Sequence, residues 1–136
     1  LPYLTDFDIP VRRNSADLWS GDADLAKAIL SNSAPTSFID VAEQDDGTVA
    51  GLIMVSLREE LLSHAPSAHL EAIVVAPNAR GTGLGKRLMT HCQAKVRQMG
   101  AASLTLHVFA RNARARALYA SEGFDEELIR AVKWLD

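Results

Sequence analysis

The sequence contains a single cysteine, no excess of positive charge and no long apolar run, and each of these absences excludes a class of protein. Cys92 alone cannot form an intrachain disulfide or a zinc site built from several cysteines. The net charge of −3 and the pI near 5.8 argue against a nucleic-acid partner. No stretch approaches the ~18 apolar residues of a membrane span, and no signal peptide is visible. We therefore expect a cytoplasmic protein without a membrane partner or a metal.

Nothing in the sequence divides the chain into parts. It has 136 residues, of which 48% are hydrophobic, which suits one core of ordinary size. There are no internal repeats, low-complexity tracts or long linkers. We expect a single domain over residues 1–136. The sequence begins at Leu1 rather than at a methionine, so residues ahead of it are left open.

The first third of the chain is expected to be irregular and then helical. A short strand is predicted at residues 9–13. Asn14 or Ser15 is a suitable cap for a first helix, and the apolar periodicity predicts helical segments that are broken near Gly21.

Strands follow. Asp45-Asp46-Gly47 between two apolar runs is a strong hairpin signal, with one strand beginning at Ser37 and its partner at residues 48–57. Residues 69–76 become almost continuously apolar, as expected of a central strand.

The second half of the chain alternates helices and strands. We expect a helix at residues 84–99, a strand at 103–109, a helix from a cap at Asn112 to Glu122, and one or two strands around 126–129. This order predicts an α/β fold with helices flanking a mixed, mostly antiparallel central sheet that contains one parallel βαβ unit.

The most informative stretch is Arg80-Gly81-Thr82-Gly83-Leu84-Gly85-Lys86. Glycines between a strand and a helix let the backbone approach an anion, and the helix N-terminus favours negative charge. A Walker loop would place Ser or Thr after the lysine, where Arg87 stands. A dinucleotide-binding loop needs one more residue before its third glycine. Neither pattern fits.

A third pattern fits. Arg80-x-x-Gly83-x-Gly85 resembles the acetyl-CoA diphosphate loop of the GNAT superfamily of N-acetyltransferases. The strand at residues 70–77 precedes it, as in that family, and the block at residues 112–124 resembles the family's N-x-x-A-x-x-x-Y…G-F motif. The resemblance extends over residues 36–136. It implies the GNAT fold and the transfer of an acetyl group from acetyl-CoA to an amine, without a metal.

The resemblance also implies which residues bind acetyl-CoA. The diphosphate would lie on the backbone N–H groups of the glycine loop, and the pantetheine arm would pair with an open strand edge. The implied cofactor-binding residues are Ile73, Val74, Val75, Arg80, Gly81, Thr82, Gly83, Leu84, Gly85, Lys86, Asn112, Ala115 and Tyr119.

Two residues are predicted to be catalytic. Tyr119 matches the family tyrosine near the thiol and can supply its proton. Glu71 is a carboxylate in a mostly apolar strand, which makes it the candidate general base. The N–H of Val74 or Val75 is the expected oxyanion donor. His69 is a reserve base, although we expect it to lie on the surface.

Alternatives remain at this stage. The acceptor is a primary amine of an unidentified small molecule or peptide. A non-catalytic acyl-CoA-binding or regulatory module would share the same motifs. Arg111, Arg114 and Arg116 form either a solvated basic face or a contact to the coenzyme's 3′-phosphate. The short tail at residues 124–136 leaves a sheet edge that could pair in a homodimer.

Overall fold

The protein is built on a four-stranded sheet of strand order β1-β2-β3-β4. The computed structural model describes residues 2–5, 7, 9–10 and 12–136. Strands β1 to β3 pair antiparallel and β3 pairs parallel with β4, so the predicted mixed sheet is confirmed. The elements are a 3₁₀ helix Pro2–Thr5, α1 Ser15–Leu30, β1 Ser37–Glu43, β2 Val49–Glu59, β3 Pro66–Val75, a 3₁₀ turn Pro77–Ala79, α2 Leu84–Gln98, β4 Leu104–Leu106 and α3 Ala113–Ser121.

Helix α1 is continuous, so the predicted break near Gly21 is wrong. Asn14 caps it, its side-chain oxygen accepting a hydrogen bond of 2.8 Å from the Ala16 N–H. A glycine inside a helix costs only about 1 kcal/mol relative to alanine, which its neighbours can offset. The predicted strand at residues 9–13 is also absent from the residues described there, which form coil and a turn. Val11 lies outside the described residues.

Helix α2 supplies the apolar face that covers the sheet. Its apolar side chains recur at three- and four-residue steps, and this stripe is buried against the sheet: Leu84, Leu88, Met89, Cys92 and Val96. Burial of such side chains contributes roughly 1.5–3 kcal/mol each. The Cys92 thiol is buried in this core, which raises its pKa to about 11, and so it is an unreactive packing residue.

Strand β3 contains a β-bulge at Glu71. Met54 is opposite Ala72 and Val55 is opposite Leu70, so Glu71 is the extra residue on β3. Beyond this point β3 remains paired with β2 but loses its other neighbour, because β4 pairs only with residues 68–70. The two parallel strands therefore separate after Leu70 and leave a fork between them.

The chain ends without the predicted strands. Residues 124–136 contain no strand, and β4 is three residues long rather than seven, so β4 offers little edge to pair with. The tail instead packs through side chains: Arg12 forms two hydrogen bonds of 2.7 Å with Asp136, and Arg116 pairs with Glu126. Large apolar side chains remain exposed, with Ile129 at 96%. Among the described residues, no helix is both long and apolar enough to cross a membrane.

Candidate active site

A groove of about 370 Å³ opens at the fork between β3 and β4 and extends to the start of α2. Its lining brings together nearly all of the residues implicated by the sequence. Thr82 is the exception. The predicted residues that line it are Glu71, Ile73, Val74, Val75, Arg80, Gly81, Gly83, Leu84, Gly85, Lys86, Asn112, Ala115 and Tyr119.

The glycine loop forms one end of the groove. Gly81 and Gly83 have φ of +78° and +81°, a left-handed conformation that side chains other than glycine adopt at a cost. A Cβ atom on Gly83 would meet no protein atom within 4 Å, so open space adjoins it. Helix α2 then begins at Leu84, and the N–H groups of its first turn have no partner within the helix. The Thr82 hydroxyl is turned away, donating to the Ala79 carbonyl at 2.6 Å.

The edge of β3 forms the middle of the groove. Ala76 donates a backbone hydrogen bond of 2.8 Å to the Ala50 carbonyl. Because hydrogen-bonded pairs alternate along antiparallel strands, Val74 exchanges its bonds with Leu52 on β2. The N–H and C=O groups of Ile73 and Val75 therefore point away from β2, toward the groove. Of the two donors named from the sequence, the geometry leaves Val75 as the one that faces it.

Helix α3 forms the opposite wall. Asn112 caps it, with its Oδ1 accepting from the Ala115 N–H at 3.2 Å. The ring of Tyr119 packs edge-on against Phe124, 5.8 Å between centroids. Its hydroxyl forms no hydrogen bond with any residue that the structure describes, and burial raises its pKa to about 12. Tyr119 thus offers a protonated O–H to the groove at neutral pH.

Two carboxylates lie at the other end of the groove. Glu71 occupies the bulge of β3, and Asp22 reaches the same groove from α1. Burial, and then the negative charge of Glu71, raises the pKa of Asp22 to about 6. Asp22 was missed at the sequence level because nothing in its neighbourhood on α1 distinguishes it from Asp17 or Asp24.

The prediction that His69 lies on the surface is wrong. Its side chain is buried, with the residue 5% exposed, and its Nδ1 is 2.8 Å from the Thr105 hydroxyl. Burial, and secondarily the positive charge of Arg58 and of His107, lowers the pKa of His69 to about 4. His107, whose ring lies 4.9 Å from that of His69, lines the groove instead.

The three arginines at the start of α3 do not act together. Arg116 forms its ion pair with Glu126, and Arg111 donates to the Ile9 carbonyl at 3.4 Å. Arg114 alone lines the groove. A second, shallower depression of about 410 Å³ lies beside Leu57 and Met99 and contains none of the predicted site residues.

Comparison with known proteins agrees with this geometry. Residues 4–124 match the acetyltransferase (GNAT) family. An uncharacterized N-acetyltransferase of Bacillus subtilis, YhfO, is 33% identical over 115 residues, which cover 85% of this chain and 74% of the relative. A ribosomal-protein alanine N-acetyltransferase of Escherichia coli is 44% identical over 63 residues, 46% of this chain; the match spans only 43% of that relative.

A solved structure extends the comparison to three dimensions. AAC(6')-Iy, in complex with the bisubstrate analogue CoA-S-monomethyl-acetylneamine, is 26% identical. It superimposes with a TM-score of 0.69 over 89% of this chain and 85% of its own. With the family match covering most of the sequence and the predicted fold in place, the chain belongs to the GNAT acetyltransferase family.

Proposed function

We propose that the protein transfers an acetyl group from acetyl-CoA to a primary amine by direct transfer. One observation carries the proposal: a single groove joins a glycine loop at a helix N-terminus, a strand edge that no other strand covers, a protonated tyrosine and a half-buried carboxylate. These are the groups that the diphosphate, the pantetheine amides, the thiol and the amine would respectively need.

The residues present suit acetyl-CoA at one end of the groove. Free N–H groups at Gly83, Gly85 and Lys86 would hold the diphosphate, and the open space beside Gly83 leaves room for its oxygens. The Ile73 backbone and the Val75 carbonyl would pair with the pantetheine arm as an added strand, which leaves the Val75 N–H for the reaction itself. The thioester supplies the acetyl group.

The remaining residues suit the transfer itself. Glu71 would take one proton from the ammonium of the acceptor, which frees the nitrogen lone pair for attack on the thioester carbon. The Val75 N–H would stabilise the negative oxygen as the N–C bond forms. When the C–S bond breaks, Tyr119 would donate its proton to the thiolate and recover one from the amide nitrogen. The balance is one amide, one free thiol and one proton left on Glu71.

The acceptor is an amine of a small molecule or of a peptide. By name, the E. coli relative acts on an alanine of a ribosomal protein, whereas the AAC(6')-Iy complex contains an acetylneamine analogue. Both kinds of amine therefore occur among relatives, and neither is assigned to this chain on that basis.

Release of free CoA thiol tests the proposal directly. The purified protein is incubated with acetyl-CoA and a panel of primary amines, and calorimetry measures acetyl-CoA affinity separately. We expect binding below about 100 μM and thiol release that depends on an amine. Absence of binding would overturn the proposal. Binding without turnover on any amine would favour the non-catalytic acyl-CoA-binding module.

A further inference from the structure

The groove is electrically polarised along its length. Its permanently charged basic residues, Arg80, Lys86 and Arg114, come from the glycine loop and the starts of α2 and α3. Its acidic residues among the described lining are Asp22 and Glu71, which come from α1 and β3. The end that suits an anionic cofactor is thus positive, and the end left for the acceptor is negative.

The two carboxylates have no cationic partner in the part of the chain that the structure describes. Neither side chain forms a hydrogen bond or an ion pair with any described residue, whereas Asp40 is paired with Lys95 and His91. Two half-buried negative charges facing one cavity repel each other. Burial first, and then the charge of Glu71, raises the pKa of Asp22, which reflects the cost of holding the ionised carboxylate there. A cation bound between the two carboxylates would offset this cost.

The same end of the groove also has an apolar wall. Leu18 lies four residues before Asp22 on α1, so both side chains project from one face of the helix. Tyr3 and Leu4 from the first 3₁₀ helix complete the wall. The chemistry of this end therefore matches an ammonium group carried on an aliphatic chain.

We propose that Asp22 selects the acceptor, binding a second positive charge while Glu71 takes the proton from the reacting ammonium. The inference rests on the proposed function and narrows it to amines that carry an additional cation and lack a neighbouring carboxylate. Asp22 is in this view a specificity residue that remains ionised, and no bond to it forms or breaks. An acceptor with an anionic group in place of the second positive charge would hold that group beside the carboxylates of Asp22 and Glu71, which would repel it.

Two probes of equal length test this. Putrescine carries an ammonium at each end, and γ-aminobutyrate replaces one of them with a carboxylate. We expect kcat/KM to favour putrescine at least tenfold in the unchanged protein, and Asp22→Asn to reduce that preference about tenfold. Asp24→Asn is the matched control, since Asp24 is exposed on the same helix and does not line the groove. It should leave the preference unchanged.

Each outcome is decisive. Equal kcat/KM for the two probes, or equal effects of Asp22→Asn and Asp24→Asn, would overturn the role of Asp22 while leaving acetyl transfer intact. No acetyl transfer to any amine of the wider panel would instead overturn the proposed function. Unchanged acetyl-CoA affinity in Asp22→Asn, measured by calorimetry, shows that the variant is folded and that the change concerns the acceptor.

Discussion

The two ends of the groove differ in whether backbone or side chains form them. The cofactor end is backbone from one continuous stretch, residues 80–86, with the adjoining edge of β3. The acceptor end is made of side chains that are distant in sequence, above all Asp22 and Glu71. A backbone surface depends on conformation, whereas a side-chain surface depends on identity. The first can therefore be shared across a family, while we propose that the second determines which amine is used.

The largest effect is expected at the acceptor end. Glu71→Gln removes the proposed base and should lower kcat about 100-fold. Its acetyl-CoA affinity should not change, because Glu71 lies at the bulge and away from the glycine loop. Initial rates of thiol release and calorimetry give the two values. Glu43→Gln, on the exposed end of β1, is the control and should match the unchanged protein. Loss of cofactor affinity in Glu71→Gln would mean that the two ends are not separable.

The next prediction concerns His69, which we expect to affect the stability of the protein and not its catalysis. The low pKa of His69 means that the folded protein keeps this ring neutral, while the unfolded chain takes up a proton below its ordinary value near 6.5. The contribution of the neutral His69 ring to the free energy of unfolding is therefore complete above about pH 6.5 and is lost as the pH falls toward 4. Between pH 7 and pH 4.5 the free energy of unfolding should fall about 2 kcal/mol more than in His69→Asn.

Denaturant unfolding at the two pH values measures this difference. Asn is chosen because its amide can still reach the Thr105 hydroxyl. A difference in the free energy of unfolding between the unchanged protein and His69→Asn that stays the same at both pH values would contradict the prediction. If well-folded His69→Asn had a lower kcat, His69 would be part of the acceptor end. The contrast drawn between the two ends of the groove would then be wrong.

The contrast between the two ends also explains what the sequence could predict. The hairpin at Gly47, the stripe of α2 and the cap at Asn112 are local patterns, and the structure has all three. The glycine loop is local as well, so the cofactor end could be identified from a few consecutive residues. In each case the local structure is determined by residues that are close together in the sequence.

What could not be predicted depends on tertiary contacts. Asp22 reaches the groove only because α1 lies against it, and the burial of His69 arises because β4 pairs beside it. The tail from Phe124 was expected to contain one or two strands around residues 126–129. A strand requires a partner edge, and the edge available on β4 is only three residues long.

A smaller effect is expected at the cofactor end. Gly83→Val forces a β-branched residue into a left-handed conformation and places its side chain in the open space beside the loop. We expect acetyl-CoA to bind about tenfold more weakly, with kcat at saturating cofactor nearly unchanged. Gly47→Val is a close control, since Gly47 has φ of +86° and similarly open surroundings in a distant turn. It should lose similar stability without losing affinity; equal affinities of the two variants would place the diphosphate elsewhere.

The smallest effect concerns Tyr119, where the two ends meet. A thiolate is a weak base compared with an alkoxide or an amide anion, so it needs less help from an acid than the amine needs from a base. Tyr119→Phe keeps the ring against Phe124 and removes only the O–H, and we expect kcat to fall about fivefold to tenfold with acetyl-CoA affinity unchanged.

A second variant distinguishes the hydroxyl from the packing. Phe124→Leu removes the edge-on ring contact at 5.8 Å and leaves the Tyr119 hydroxyl in the groove. It should lower stability while retaining more of kcat than Tyr119→Phe does. The raised pKa of Tyr119, about 12, further predicts no loss of activity from its ionisation below about pH 11. If Phe124→Leu were the slower enzyme while fully folded, Tyr119 would be acting through its ring, and the proton for the thiolate would have to come from the acceptor end.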